Sequence, residues 1–211
     1  MDIRVATAAE IDRATETVAL AFATDPVWQV ALRRADGRMD HHRPYWRFFV
    51  AAAQAQGGLW LLDDGAAVAV WIPPGGEEVD AATMARILAF NGRVLGPDGA
   101  TEIAELYERF EANHTPTEPH AYLSLLATHP DRRGRGLGQR LLAANLRDWD
   151  ERGVPQWLES TNPANDHRYA RAGFRPAGSF RAVRDDARIT TMWREAGGAK
   201  QRDRPPGQPA A

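Results

Sequence analysis

The chain has 211 residues, 44% of them hydrophobic and 26% charged, with a net charge of -2. That balance suits one globular domain with a sizeable core and speaks against a generally basic nucleic-acid binder. No cysteine is present, which excludes a disulfide frame, a thiolate metal site and a cysteine nucleophile.

The N-terminus lacks a basic region followed by an apolar core, so no signal peptide is expected. No apolar run is long enough to span a membrane. A cytoplasmic protein with no membrane or nucleic-acid partner is the expectation. Residues 1–196 are read as the domain. The tail at 197–211 is rich in Gly, Pro, Gln and charge and is expected to be disordered.

Asp2 to Ala6 reads as a short strand. Thr7, with Glu10 three residues on, makes a capping box for a helix carrying Ile11, Ala14, Val18 and Phe22. Asp25-Pro26 ends it. His41 to Gln56 carries Tyr45, Trp46, Phe48 and Phe49 at amphipathic spacing, a core-packing pattern. His41 and His42 read as a solvated helix start, because no third ligand stands at helical spacing. Leu59 to Leu62 and Ala67 to Ile72 flank Asp63-Asp64-Gly65, a hairpin signal. Glu77 to Gly92 and Thr101 to Asn113 read as two helices split by Gly96-Pro97-Asp98-Gly99. They carry no catalytic motif, and both a cleft-lining and a filler role stand open.

The central strand, Ala121 to Thr128, runs into His129-Pro130-Asp131-Arg132-Arg133-Gly134-Arg135-Gly136-Leu137-Gly138-Gln139, and a helix runs out of it to about Arg152. Glycine permits positive φ and close approach of a ligand to the main chain. The first N–H groups of a helix lack internal partners, so a glycine-rich helix start among arginines suits a phosphate. A hydrolase-type phosphate loop fails, because Gln139 follows Gly138 where Lys is required. A dinucleotide loop needs its glycines directly after the strand, and here Pro130 to Arg133 intervene. Glu159, about 20 residues on, still keeps that reading open as a ribose-binding acid. Gln156 to Ser160 is a further strand, Asn162-Pro163 opens a helix that Gly173-Phe174 closes, and two strands follow, at about 174–182 and 188–193. The order predicts a mixed α/β sheet with helices packed against it.

Arg133, Gly136 and Gly138 fill an Arg/Gln-x-x-Gly-x-Gly/Ala pattern. It resembles the coenzyme A pyrophosphate loop of the GNAT superfamily of N-acetyltransferases. Asn162, Asn165, Tyr169 and Gly173-Phe174 resemble that family's second signature, in the right order. The resemblance implies the GNAT fold: an α/β (α+β) domain with about seven strands, splayed between the fourth and fifth. It implies acetyl-CoA as co-substrate, with no metal. The N–H groups of Arg133, Gly134, Arg135, Gly136, Leu137, Gly138 and Gln139 would cradle the pyrophosphate. The backbone of Leu126, Ala127 and Thr128, where the strand is expected to bulge, would pair with the pantetheine arm, and Asn165 would help to hold it. An N–H near Ala127 would stabilise the oxyanion. Tyr169 takes the position of the acid that protonates the leaving thiolate. Glu159, His120 and Glu118 are candidates for the base, Glu159 first. Asp25 and Trp28, with His120, are tentative contacts for a cationic amine.

The expected activity is N-acetylation of a primary amine on a small molecule, an antibiotic among the candidates, by a monomer or homodimer. Acetylation of a protein or peptide amine, and a non-catalytic acyl-CoA-binding module, are the alternatives.

Overall fold

The structure, a computed structural model, describes residues 2–197; the expected tail lies outside them except for its first residue. Seven strands form one sheet in the order β1-β2-β3-β4-β5-β7-β6. They are β1 (Ile3–Val5), β2 (Leu59–Leu62), β3 (Ala67–Ile72), β4 (Ala121–Thr128), β5 (Gln156–Ser160), β6 (Arg175–Arg181) and β7 (Arg188–Arg194). Every pairing is antiparallel except β4 with β5. The helices are α1 (Ile11–Phe22), α2 (Trp28–Ala31), α3 (His42–Ala55), α4 (Ala81–Asn113), α5 (Leu137–Glu151) and α6 (Asp166–Arg171).

Helices cover both faces. Val68, Val70 and Ile72 of β3 pack with α1, α3 and α4, while Ala67, Ala69 and Trp71 pack with α5. Alternate strand residues point to opposite faces, so a strand covered twice is apolar throughout. All six residues of β3 are buried.

β4 breaks this alternation. Leu123 pairs with Trp71 and Leu125 with the adjacent Val70, which leaves Ser124 as an extra residue. Leu123 therefore packs on the α5 face and Leu125 on the opposite one, although they are two apart. A bulge of this kind bends the strand and re-aims its side chains. The expected bulge is real, but it lies at Ser124 rather than at Leu126 to Thr128.

The two helices expected between residues 77 and 113 form one kinked element, α4, bent at Gly96 (φ 73°, ψ 177°). Pro97 starts the second half, where its missing N–H costs nothing. At the far edge Arg194, 2% exposed, donates to both carboxylate oxygens of Asp150 at 2.6 and 2.7 Å and to the Ala172 carbonyl at 3.0 Å. This ties β7 to α5 and to the end of α6.

Among the described residues no helix is long and apolar enough to cross a membrane.

Candidate active site

The glycine loop makes its turn with left-handed backbone. Gly134 has φ 78°, and Gly136, the residue before α5, has φ 70° and ψ 15°. Gly138 is needed for space: a Cβ there would lie 2.8 Å from Thr128 Oγ1. The first turn of α5 thus sits directly against the end of β4. Its unpaired N–H groups and the positive end of the helix dipole meet the cleft described next. Arg133 donates from Nη2 to the Ala21 carbonyl at 3.2 Å, fastening the loop to α1.

β4 and β5 pair only at Ala121 with Gln156 and Tyr122 with Trp157. Beyond that point they separate, and the edge of β4 facing β5 is open. Which groups face the gap follows from the β3 register. His129 N–H donates to the Ala66 carbonyl at 3.0 Å, and Ala127 lies opposite Val68. In an antiparallel ladder, alternate residues turn their backbone groups toward the partner strand. Ala127 therefore faces β3, and Leu126 and Thr128 present N–H and C=O to the gap. Of the three residues expected to pair with an extended ligand, Ala127 is turned away.

A cleft of about 1410 Å³ runs from the loop through this gap to the aromatic side of α2, α3 and α4. Leu126, Thr128, Arg133, Gly134 and the segment 136–139 line one end. Asn165 and Tyr169 line the wall formed by α6, and Asp25, Trp28, His120 and Glu159 lie further in. Arg135 is exposed beside the loop and does not line the cleft.

Tyr169 stands edge-on to Phe174, with ring centres 6.1 Å apart. Burial raises its phenol above the ordinary value, and the charges of Asp25 and Asp166 raise it further while Arg168 opposes them. Asp25 accepts from the Val27 and Trp28 N–H groups at 3.0 and 3.2 Å and from Thr161 Oγ1 at 2.8 Å. Its carboxyl is raised by burial against all three bonds. Trp28, only 8% exposed, stacks on Phe110 at 6.0 Å and meets Trp46 edge-on at 5.1 Å. Asn165 Oδ1 accepts from Arg168 Nη1 at 2.9 Å.

Where β4 and β5 part, carboxylates and imidazoles gather. Glu159, its side chain 2% exposed, accepts from Trp157 Nε1 and lies 3.5 Å from His114 Nδ1. His114 Nε2 is 2.8 Å from His120 Nε2, and His120 Nδ1 is 2.8 Å from the Glu118 carbonyl. Glu78, from the turn before α4, accepts from Ser124 Oγ at the bulge. Burial pushes its carboxyl up to about 7. Glu78, Ser124, Thr161 and His114 were not among the residues expected from sequence. The sequence reads Glu77 and Glu78 as the start of a helix, whereas α4 begins only at Ala81, and nothing local marks which glutamate points inward.

His41 and His42 correct an expectation. They are 3% and 5% exposed, not solvated. His41 Nε2 lies 2.7 Å from the Leu32 carbonyl, and burial lowers both imidazoles, His42 to about 4. Among the described residues no group of three His, Cys, Asp or Glu could hold a metal ion.

Residues 87–176, from α4 to the start of β6, match the family described as the acetyltransferase (GNAT) domain. That stretch, less than half of the chain, is similar to a GNAT acetyltransferase domain. Solved structures agree on the GNAT fold. A protein described as histone acetyltransferase HPA2 and related acetyltransferase, from Corynebacterium glutamicum, aligns with a TM-score of 0.65 at 22% identity, over 99% of this chain and 98% of its own. Arylalkylamine N-acetyltransferase 2 from Aedes aegypti aligns at 0.64 and 14%, over 92% and 98%. An agmatine N-acetyltransferase aligns at 0.54 and 18%, over 92% and 98%. At these identities the likeness establishes the fold. A GNAT domain would take acetyl-CoA as acyl donor, and the cleft has features that suit it: helix N–H groups for a pyrophosphate at one end, an open strand edge for amides beyond.

Proposed function

We propose that the chain is an acetyl-CoA-dependent N-acetyltransferase for a primary amine on a small molecule. The observation that carries this reading is Tyr169, a half-buried phenol on the wall of the gap that opens between the glycine loop and the diverging strands. The amine nitrogen attacks the thioester carbonyl; the C–N bond forms and the C–S bond breaks. Tyr169 gives its proton to the departing sulfur. Burial raises a thiol's pKa as it raises a phenol's, so a donor held above its ordinary value still matches a desolvated thiolate. The donor to the developing oxyanion is the N–H of Leu126, the free amide of the β4 edge nearest the bulge, since that of Ala127 serves β3. Asn165, the loop from Arg133 to Gln139 and the edge of β4 hold the acyl donor. Proximity supplies most of the acceleration, because no covalent acyl-enzyme is needed.

For the acceptor, Asp25 and Trp28 make an anionic, aromatic wall suited to a cationic amine. The neighbours named for arylalkylamines and agmatine act on compounds of that kind. The sequence also resembles puromycin N-acetyltransferase in Asp63 to Trp71, Glu118-Pro119 and Gly153-Val154-Pro155, while 28–56 and the rest of 75–119 look much less alike. An aminoacyl- or nucleoside-like antibiotic therefore heads the substrates to try.

The test is thiol release from acetyl-CoA against amine antibiotics, arylalkylamines, polyamines and peptides. One small amine should drive release, and Tyr169→Phe should lower kcat about 100-fold with little change in acetyl-CoA affinity. Release driven only by peptides would move the reading to a protein acetyltransferase. Tight acetyl-CoA binding with no acceptor would make the chain a binding module.

A further inference from the structure

We propose that Glu78 is the general base of the transfer, held at the β4 bulge by Ser124, and that Glu159, His114 and His120 carry its proton away. The inference rests on the acetyltransferase reading above and names the base that reading leaves open.

The reacting end of the cleft can be located along β4. The loop at Arg133 to Gln139 binds the anionic end of the donor, and Thr128 and then Leu126 present the next free backbone groups. An extended arm running back along this edge reaches Ser124 four residues from Thr128, roughly 13 Å on. There the strand bulges, and beyond it β4 and β5 close together at Tyr122 and Trp157. The thioester therefore arrives beside Ser124. The bulge turns the Ser124 hydroxyl into the cleft, where it donates to Glu78.

Glu78 meets the chemical demand on a base. A base for an ammonium must be ionised near neutrality yet basic enough to take a proton. Burial moves the Glu78 carboxyl up to about 7; Glu159 on β5 pushes the same way, and His114 after α4 and the Ser124 hydroxyl on β4 oppose them. The other titratable groups that feel it are Tyr45 of α3 and Tyr107 of α4, joined to each other by a 2.6 Å hydroxyl bond, and Tyr122 of β4. All three phenols are raised, so they stay neutral across the relevant range.

The histidines provide an exit. His120 Nδ1–H must donate to the Glu118 carbonyl, since a carbonyl only accepts. His120 Nε2 is then an acceptor, and His114 Nε2–H donates to it. A further proton on this chain goes to His114 Nδ1, facing the Glu159 carboxylate. Glu118 at the outer end is exposed. The proton count closes. The ammonium's first proton passes to Glu78 and out through the histidines. Its second, lost as the amide forms, replaces the one Tyr169 gave to the sulfur. One proton is released per turnover.

The experiment is the pH profile of kcat/KM for the amine found above. The wild-type profile should rise through an acid limb near neutrality, because the carboxylate form is the active one and its share grows with pH. Glu78→Gln should lose at least about 100-fold on the alkaline plateau and lose that limb, with acetyl-CoA affinity unchanged. Ser124→Ala removes a bond to the charged form, so its limb should move up by about one pH unit; the position of the limb is the readout, and this variant serves alone if Glu78→Gln does not fold. A Glu78→Gln enzyme with a wild-type plateau, or a Ser124→Ala limb that stays in place, overturns the inference and leaves the acetyltransferase reading intact. A wild-type protein that releases no thiol with any amine overturns both.

Discussion

Asp25 holds the end of α1 to the end of β5 through a carboxylate that burial would rather keep neutral. Its oxygens satisfy the Val27 and Trp28 N–H groups at the start of α2 and the Thr161 hydroxyl 136 residues away. Its folded-state pKa is raised, with burial the largest cause. The stability this carboxyl contributes is therefore fully present below its unfolded value and is lost as pH rises through the folded value. Substitution separates the two roles. Asp25→Ala abandons three donors and should cost about 1–3 kcal/mol, read by chemical denaturation. Asp25→Asn keeps an acceptor for the N–H groups and offers its amide to Thr161 without a buried charge. It should match or exceed the wild type at neutral pH, with the difference shrinking in acid. In turnover, Asp25→Asn should raise KM several-fold for a cationic amine and leave that for the acyl donor in place. An unchanged amine KM would reduce Asp25 to an anchor.

At the scale of the element, the loop between β4 and α5 depends on one tight approach. An alanine at position 138 would press its methyl to 2.8 Å from Thr128 Oγ1, forcing the helix start away from the strand end. Gly138→Ala should raise KM for acetyl-CoA about tenfold, a loss of roughly 1.4 kcal/mol. Adding Thr128→Ala removes the obstructing oxygen and should restore most of the affinity, a non-additivity that a double-mutant cycle measures. Equal effects of Gly138→Ala in both backgrounds would refute the steric account. This loop was legible in the sequence because its signal is local: left-handed turns need glycine, and a helix start follows. The strands and amphipathic helices were legible for the same reason. The bulge was not, since Leu123-Ser124-Leu125 alternates as a regular strand would, and only pairing with β3 shows that the leucines face opposite ways. Glu78 was hidden because its partner Ser124 lies 46 residues on. The burial of His41 and His42 depends on the packing of Leu32 and of the helices around them, which no spacing records.

At the scale of the whole molecule, the single sheet has two halves joined at only two register pairs. β1 to β4 form one part and β5, β7 and β6 the other, and the open edge of β4 lies between them. An acyl donor seated there acts as a strand that the chain itself does not supply, as in other cases of strand addition. Its binding should therefore couple to folding. At 100 times its dissociation constant, acetyl-CoA should stabilise the protein by about 2.7 kcal/mol. The register adds a finer expectation, resolved amide by amide. Leu126 and Thr128 point their N–H groups into the gap, whereas that of Ala127 is already bonded to β3. Amide exchange followed by NMR should show acetyl-CoA slowing Leu126 and Thr128 far more than Ala127, whose exchange is slow beforehand. Uniform slowing across 126 to 128 would mean that the ligand only damps global opening. Slowing confined to Ala127 would mean that the ladder with β3 breaks on binding and that the open edge belongs to the other set of residues.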